Sequence, residues 1–131
     1  MHGTEGYLFD TVALIDYYCG RAGVRPLVEE VLEGSIQGAF STITEAELWQ
    51  GLRPGEEEKH EALLLCLRRV AVDGEIARLA GQLRREIGLR RLSLPDALIA
   101  ATAIREGMML VTRDQQLALL EDRLTIRFYP K

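Results

Sequence analysis

Lysine is nearly absent from this sequence: Lys59 and Lys131 are the only two in 131 residues. Cysteine is as scarce, and Cys19 and Cys66 lie far apart with no CxxC or Cys/His cluster around them. That spacing argues against a structural zinc site and a disulfide framework, and it predicts a reduced, cytoplasmic protein. Aromatic residues make up 6% of the chain, too few for a stacking platform that tracks a single strand. The longest strongly apolar run without charge, Ala97 to Ile104, falls far short of the roughly 20 residues that cross a bilayer. The opening residues carry no signal-peptide pattern, so no membrane association is expected. Net positive charge is missing too: 16 basic against 20 acidic residues leave −4. Bulk capture of long nucleic acid is thereby excluded, and any contact with nucleic acid needs a local basic patch or bound metal ions. Neither G-x-x-x-x-G-K-S/T nor G-x-G-x-x-G occurs, and no Ser/His/Asp order suggests a triad.

What is present is the balance of a globular chain, 47% apolar and 27% charged, with a length that suits one domain over residues 1–131. Short apolar runs alternate with amphipathic stretches. Tyr7 to Phe9, Gly38 to Ser41, Val70 to Val72, Met108 to Val111 and Leu124 to Phe128 read as strands. Thr11 to Tyr18, Val24 to Glu33, Thr44 to Gly51, Glu56 to Leu67, Glu75 to Ile87 and Pro95 to Glu106 read as helices. Arg53-Pro54-Gly55 breaks one helix and Gly107 stops another. Strands alternating with helices predict an α/β fold, with helices on both faces of a mainly parallel sheet. Ligands of such folds sit beyond the carboxyl ends of the strands.

Four carboxylates fall at helix starts along that edge. Asp10 follows the first strand, Glu47 lies in the first turn after the second, Asp96 opens the helix that leads into the Met108 strand, and Asp114 follows that strand. Each has an ordinary alternative. Thr44-x-x-Glu47 fits a capping box, Ser93 to Asp96 has the related spacing, and Asp10 and Asp114 suit N-caps. Taken together they repel one another, which is costly unless a cation neutralises them. Mg²⁺ or Mn²⁺ prefers oxygen ligands and could serve a phosphodiester undergoing in-line attack.

The segments carrying these acids resemble the PIN-domain family, in particular its VapC-type toxins. Tyr7-Leu8-Phe9-Asp10-Thr11-Val12-Ala13-Leu14-Ile15-Asp16 resembles the family's opening strand and Asp-Thr turn. Ser41 to Gly51 is similar to its Thr-x-x-Glu-Leu helix start, a spacing that selects Glu47 over Glu45. Leu92-Ser93-Leu94-Pro95-Asp96-Ala97-Leu98-Ile99-Ala100-Ala101-Thr102-Ala103 is the most specific match, and Leu110-Val111-Thr112-Arg113-Asp114 is the fourth. The resemblance covers nearly the whole chain. It implies a three-layer α/β/α sandwich and a metal-dependent endoribonuclease acting on RNA, commonly a toxin held by a cognate antitoxin protein and commonly a homodimer. It implies that Asp10, Glu47, Asp96 and Asp114 hold Mg²⁺ or Mn²⁺, with Thr11 and Thr112 supporting them. Two positions depart from the family pattern. Val12 stands where Asn or Ser is common, and Leu117 where many relatives carry an Asp-Phe pair.

Other residues read more blandly. Asp16 is expected on the surface. His2 in the leading tail and His60 in a charged helix are expected to be non-catalytic, and Trp49 to serve packing. Arg113 suits either a phosphate or partner contact or a solvated loop. From Arg68 to Arg91, seven arginines face three acids, which fits a solvated helix face or a patch for phosphate or an acidic partner. A non-catalytic binding module on the same fold is the alternative that Val12 motivates. A phosphatase or phospho-receiver is disfavoured, because Val12 replaces a second acid and no lysine lies between Lys59 and Lys131.

Overall fold

A computed structural model describes residues 6–131; His2 lies outside the described residues. Five strands form one sheet: β1 Gly6–Phe9, β2 Gln37–Ser41, β3 Arg68–Val70, β4 Met109–Thr112 and β5 Ile126–Phe128. Their order is β3-β2-β1-β4-β5 and every pairing is parallel. Six helices connect them: α1 Thr11–Tyr18, α2 Arg25–Leu32, α3 Thr42–Gln50, α4 Glu57–Leu65, α5 Gly74–Ile87 and α6 Leu94–Glu106, with a 3₁₀ helix at Gln115–Leu120.

The pleat of the central strands explains the layers. Along β1, Leu8 joins one buried cluster while Tyr7 and Phe9 join another; β2 divides Ala39 from Phe40 and β4 divides Leu110 from Val111 in the same way. Period-2 alternation therefore sends side chains to two cores, one on each face of the sheet. The first core is closed by α5 and α6 through Ile76, Ala80, Leu83, Ile99 and Ala103. The second is closed by α1, α2 and α4 through Leu14, Val28 and Leu63. This is the three-layer α/β/α sandwich with a parallel sheet that the sequence predicts. Among the described residues, no helix is long and apolar enough to cross a membrane.

Several boundaries shift by one or two residues, and two of the shifts have a clear local reason. Helix α3 starts at Thr42 because Ser41 is its N-cap, accepting from the Ile43 amide at 3.1 Å. Glu47 thus sits in the second turn, and the Thr44–Glu47 capping box does not form. Strand β3 runs over Arg68–Val70, earlier than the apolar triplet Val70 to Val72, because Phe40 pairs with Arg69 and Ser41 with Val70. Its two arginines are exposed, which suits a sheet edge. Helix α6 ends where expected, at Gly107 in the left-handed conformation (φ 66°).

Candidate functional site

Because all strands run one way, β1, β2 and β4 deliver their carboxyl ends to a single edge. A cavity of about 450 Å³ opens there, and Asp10, Glu47, Asp96 and Asp114 all line it. The structure therefore brings together the four acids that the sequence singled out. Glu45 does not join them. Its carboxylate makes two 2.8 Å hydrogen bonds to the Arg69 guanidinium instead.

Asp10 is the most enclosed of the four at 6% exposure. It caps α1, with Oδ1 accepting from the Thr11 amide at 2.8 Å. The Thr112 hydroxyl donates to Oδ2 at 2.7 Å, and the same hydroxyl oxygen accepts the Asp114 amide at 3.1 Å. One threonine thus locks the acid after β1 to the backbone of the acid after β4. Thr11 does the matching task for Glu47, donating to Oε1 at 2.6 Å. The buried Thr44 hydroxyl lies 3.0 Å from Thr11 Oγ1 and completes that network. Asp96 sits in the first turn of α6, whose cap Ser93 accepts the Asp96 amide at 3.2 Å. Asp114 caps the 3₁₀ helix through the Gln116 amide at 3.0 Å. Capping and convergence are therefore both true of Asp10 and Asp114, since each carboxylate oxygen has more than one lone pair and can accept a cap while the group lines the cavity.

The electrostatics show the strain of gathering these charges. Burial pushes the Asp10 carboxyl up to about 6, the hydrogen bonds from Thr112 and Thr11 resist it, and the Asp96 and Asp114 charges add to it. Burial likewise raises Asp96, with the charges of Asp114 and Glu47 contributing. Among the described residues, no three Asp, Glu, His or Cys side chains lie close enough together to hold a metal ion as they stand. An all-oxygen, four-carboxylate cavity open to solvent instead fits a hard divalent ion that keeps several waters. Val12 is also part of the wall and adds an apolar patch to it. Leu117 points away from the cavity and is buried in the core beneath the 3₁₀ helix.

Asp16 corrects the sequence reading. It is 1% exposed, not on the surface. Its Oδ2 accepts from Arg113 Nε at 2.6 Å and from the Tyr129 hydroxyl at 2.7 Å, and Arg21 Nε lies 3.3 Å from Oδ1. Burial alone would raise this carboxyl, but Arg113 and Tyr129 outweigh it and hold Asp16 below the usual carboxylate range. Arg113, which also lines the cavity, is therefore not a solvated loop arginine but one anchored through Nε by Asp16. These partners are 97 and 113 residues from Asp16 in sequence, so no local pattern could reveal them. His60 is fully buried; its Nδ1 lies 3.0 Å from the Tyr18 hydroxyl and its ring is edge-on to Trp49 at 5.2 Å, and it does not line the cavity.

The PIN-domain family model matches residues 7–122. Ribonuclease VapC19 of Mycobacterium tuberculosis is 31% identical over 99 residues, spanning 74% of this chain and 79% of that protein. The chain belongs to the PIN-domain family. Solved structures share the fold. A chain of a toxin–antitoxin complex from Klebsiella pneumoniae superposes with a TM-score of 0.74 at 32% identity, over 86% of this chain and 91% of that one. The structure of VapBC2 from Rickettsia felis bound to a DNA fragment from its promoter gives 0.79 at 23% identity, over 95% and 98%, and supports the fold.

Proposed function

We propose that this PIN domain is an endoribonuclease that requires Mg²⁺ or Mn²⁺ and acts as the toxin of a type II toxin–antitoxin pair. The observation that carries the reading is the convergence of Asp10, Glu47, Asp96 and Asp114 on one solvent-open cavity at the carboxyl edge of the sheet. Kinship with a protein named as a ribonuclease and with a chain of a toxin–antitoxin complex supports the reaction and the partner. Such a toxin acts on RNA in the cytoplasm.

Asp10, Glu47, Asp96 and Asp114 are the residues that would hold the ion. When bound, the ion polarises the phosphoryl oxygens and lowers the pKa of an attacking water. The chain's own residues prepare for this. Thr112 fixes one oxygen of Asp10 and the amide of Asp114, and Thr11 fixes Glu47, so the donors are oriented before ion or substrate arrives. Burial first, and the neighbouring carboxylates second, raise Asp10 and Asp96, and a divalent cation would offset both effects. An antitoxin that reaches this edge with a cationic side chain could offset them too, and would thereby silence the site. The toxin is proposed to work as a homodimer.

Val12 in the cavity wall is the one observation that favours a non-catalytic module. The deciding experiment is cleavage of a panel of structured and single-stranded RNAs with Mg²⁺, with Mn²⁺ and with chelator, alongside folded Asp96→Asn protein. Cleavage should require metal and fall at least about a hundredfold in the variant. Cleavage in chelator, wild-type turnover by Asp96→Asn, or silence under every ion would each overturn the assignment. Growth arrest on expression, relieved by the neighbouring gene product, tests the toxin role.

A further inference from the structure

The arginine surplus between residues 68 and 91 is not used by the site described above. The structure sorts it. Arg68 pairs with Glu106 and Arg69 with Glu45, while Arg84 is spent on backbone carbonyls. Among the described residues, Arg78, Arg85, Arg90 and Arg91 make no ion pair, and all four are exposed. Glu86, the acid nearest Arg85 in sequence, is already paired with Arg123.

Topology carries three of the four toward the end of the sheet that holds the carboxylates, although none of them lines the cavity itself. Helix α6 leads back to β4 and so runs opposite to the sheet, which puts its first turn, with Asp96, at the carboxyl edge. Helix α5 packs against α6, and Arg85 lies in its last turn. The loop joining the two helices carries Arg90 and Arg91. Arg91 is five residues from Asp96, at most about 17 Å along the chain.

This loop is braced. Arg84 donates from Nε to the Leu92 carbonyl at 2.7 Å and from Nη2 to the Leu89 carbonyl at 2.8 Å. Gly88 ends α5 at φ 122°, a conformation that side-chain-bearing residues rarely adopt, and its carbonyl accepts the Arg91 amide at 3.0 Å and the Leu92 amide at 3.2 Å. The Arg91 stem passes 3.7 Å from where a Cβ on Gly88 would sit. The backbone that carries Arg90 and Arg91 is therefore fixed, so the loop itself needs no ordering when the two side chains bind.

We propose that Arg85, Arg90 and Arg91 form a phosphate clamp that grips the RNA backbone a few nucleotides from the scissile bond. The inference rests on the endoribonuclease reading and names how that site retains its substrate. The chemistry favours RNA over an acidic protein segment, because the clamp opens at the same edge as the cavity that receives RNA. That cavity is itself anionic on a chain of net charge −4, so it repels a phosphate backbone and needs a cationic counterweight alongside. Guanidinium forks suit phosphate oxygens and read no sequence.

The test separates the clamp from the nuclease. Binding of a fluorescein-labelled, mixed-sequence single-stranded RNA 30-mer and of a folded transfer RNA is measured in chelator, across a salt series, where cleavage does not occur. The double variant Arg90→Ala/Arg91→Ala should lose about tenfold in affinity at low salt. Its slope of log K against log salt should shrink by about 1.4, the loss of two single-strand phosphate contacts. Arg85→Ala should remove about half of that slope change. Arg78→Ala, on the same helix but about 10 Å further from the edge, should leave the slope unchanged. An unchanged slope in the double variant overturns the clamp, as does an equal loss in Arg78→Ala, which would show diffuse attraction. A change in oligomeric mass with RNA binding intact also overturns it, assigning the arginines to a contact between copies. If wild type binds through these arginines but cleaves nothing under any ion, the clamp stands and the nuclease reading falls.

Discussion

Replacing Asp16 should be among the most damaging single changes outside the cavity. Asp16 sits on α1, one and a half turns after Asp10, and ties together Arg113 beside Asp114, Tyr129 beyond β5, and Arg21 after α1. In Asp16→Ala, the Arg113 guanidinium and the enclosed Tyr129 hydroxyl lose their acceptor. Breaking a fully buried ion pair on one side costs about 3–5 kcal/mol. Arg113 is 28% exposed and can turn partly to water, and the half-exposed Arg21 contributes little, so about 2–4 kcal/mol is expected here. Asp16→Asn keeps the volume and one acceptor and should cost about 1–2 kcal/mol. Against a total stability of about 5–15 kcal/mol, the alanine variant should melt roughly 6–16 °C lower. Urea unfolding at pH 7 with linear extrapolation measures both values. The pH dependence adds a signed check. The folded-state pKa of Asp16 is depressed, so its contribution is present above the ordinary value near 3.8 and is lost as pH falls through the folded value. The gap between wild type and Asp16→Asn should therefore close on acidification below about pH 4. An Asp16→Ala variant within 0.5 kcal/mol of wild type, or a gap that widens in acid, would refute the reasoning.

The strained Asp10 makes the opposite prediction. Its folded-state pKa is raised from 3.8 to about 6, so metal-free stability should fall as pH rises from about 4 through 6, by up to about 3 kcal/mol. Thermal melts in chelator should then place Asp10→Asn above wild type at pH 7.5, with added Mn²⁺ raising wild type alone. Thr112→Val removes the donor to Asp10 and the acceptor for the Asp114 amide at a fully buried position. It should cost about 1–3 kcal/mol in urea melts and lower Mn²⁺ affinity about 10–100-fold by calorimetric titration. In Gly23→Ala the new Cβ would lie 1.9 Å from the Pro130 carbonyl oxygen, so about 1–3 kcal/mol should be lost as the segment that holds Tyr129 is displaced. Gly81→Ala meets nothing within 4 Å in α5 and should instead gain about 0.5–1 kcal/mol, which the same denaturation series would report.

Much of the site was legible because its signals are local. Asp10 and Asp114 each cap a helix just after a strand, Asp96 opens the helix that leads into β4, and Glu47 follows β2 at family spacing. Period-2 and period-3.6 patterns placed those segments in an α/β order, and a parallel sheet has only one carboxyl edge at which such acids can meet. The amino-acid sequence alone thus determined the layers, the direction of the sheet and the identity of the four carboxylates. Cap choice was less legible: Ser41 and Thr44 are both good capping residues, and pairing along β2 decided for Ser41 and pushed Glu47 into the second turn.

Only the tertiary structure decided which polar groups meet across long stretches of chain. Asp16 looks like a helix-surface acid in its own segment, and it is buried because Arg113 and Tyr129 arrive from the far end of the chain to neutralise it. Thr112 bridges Asp10 and Asp114 for the same reason, since β4 pairs with β1. The arginine run was visible as a count, but only folding separated the arginines paired with Glu106 and Glu45 from those left without an ion pair. The physical reason is common to all three. Periodicity and capping act over a few residues, whereas a buried charge depends on a partner whose position exists only once the sheet has formed.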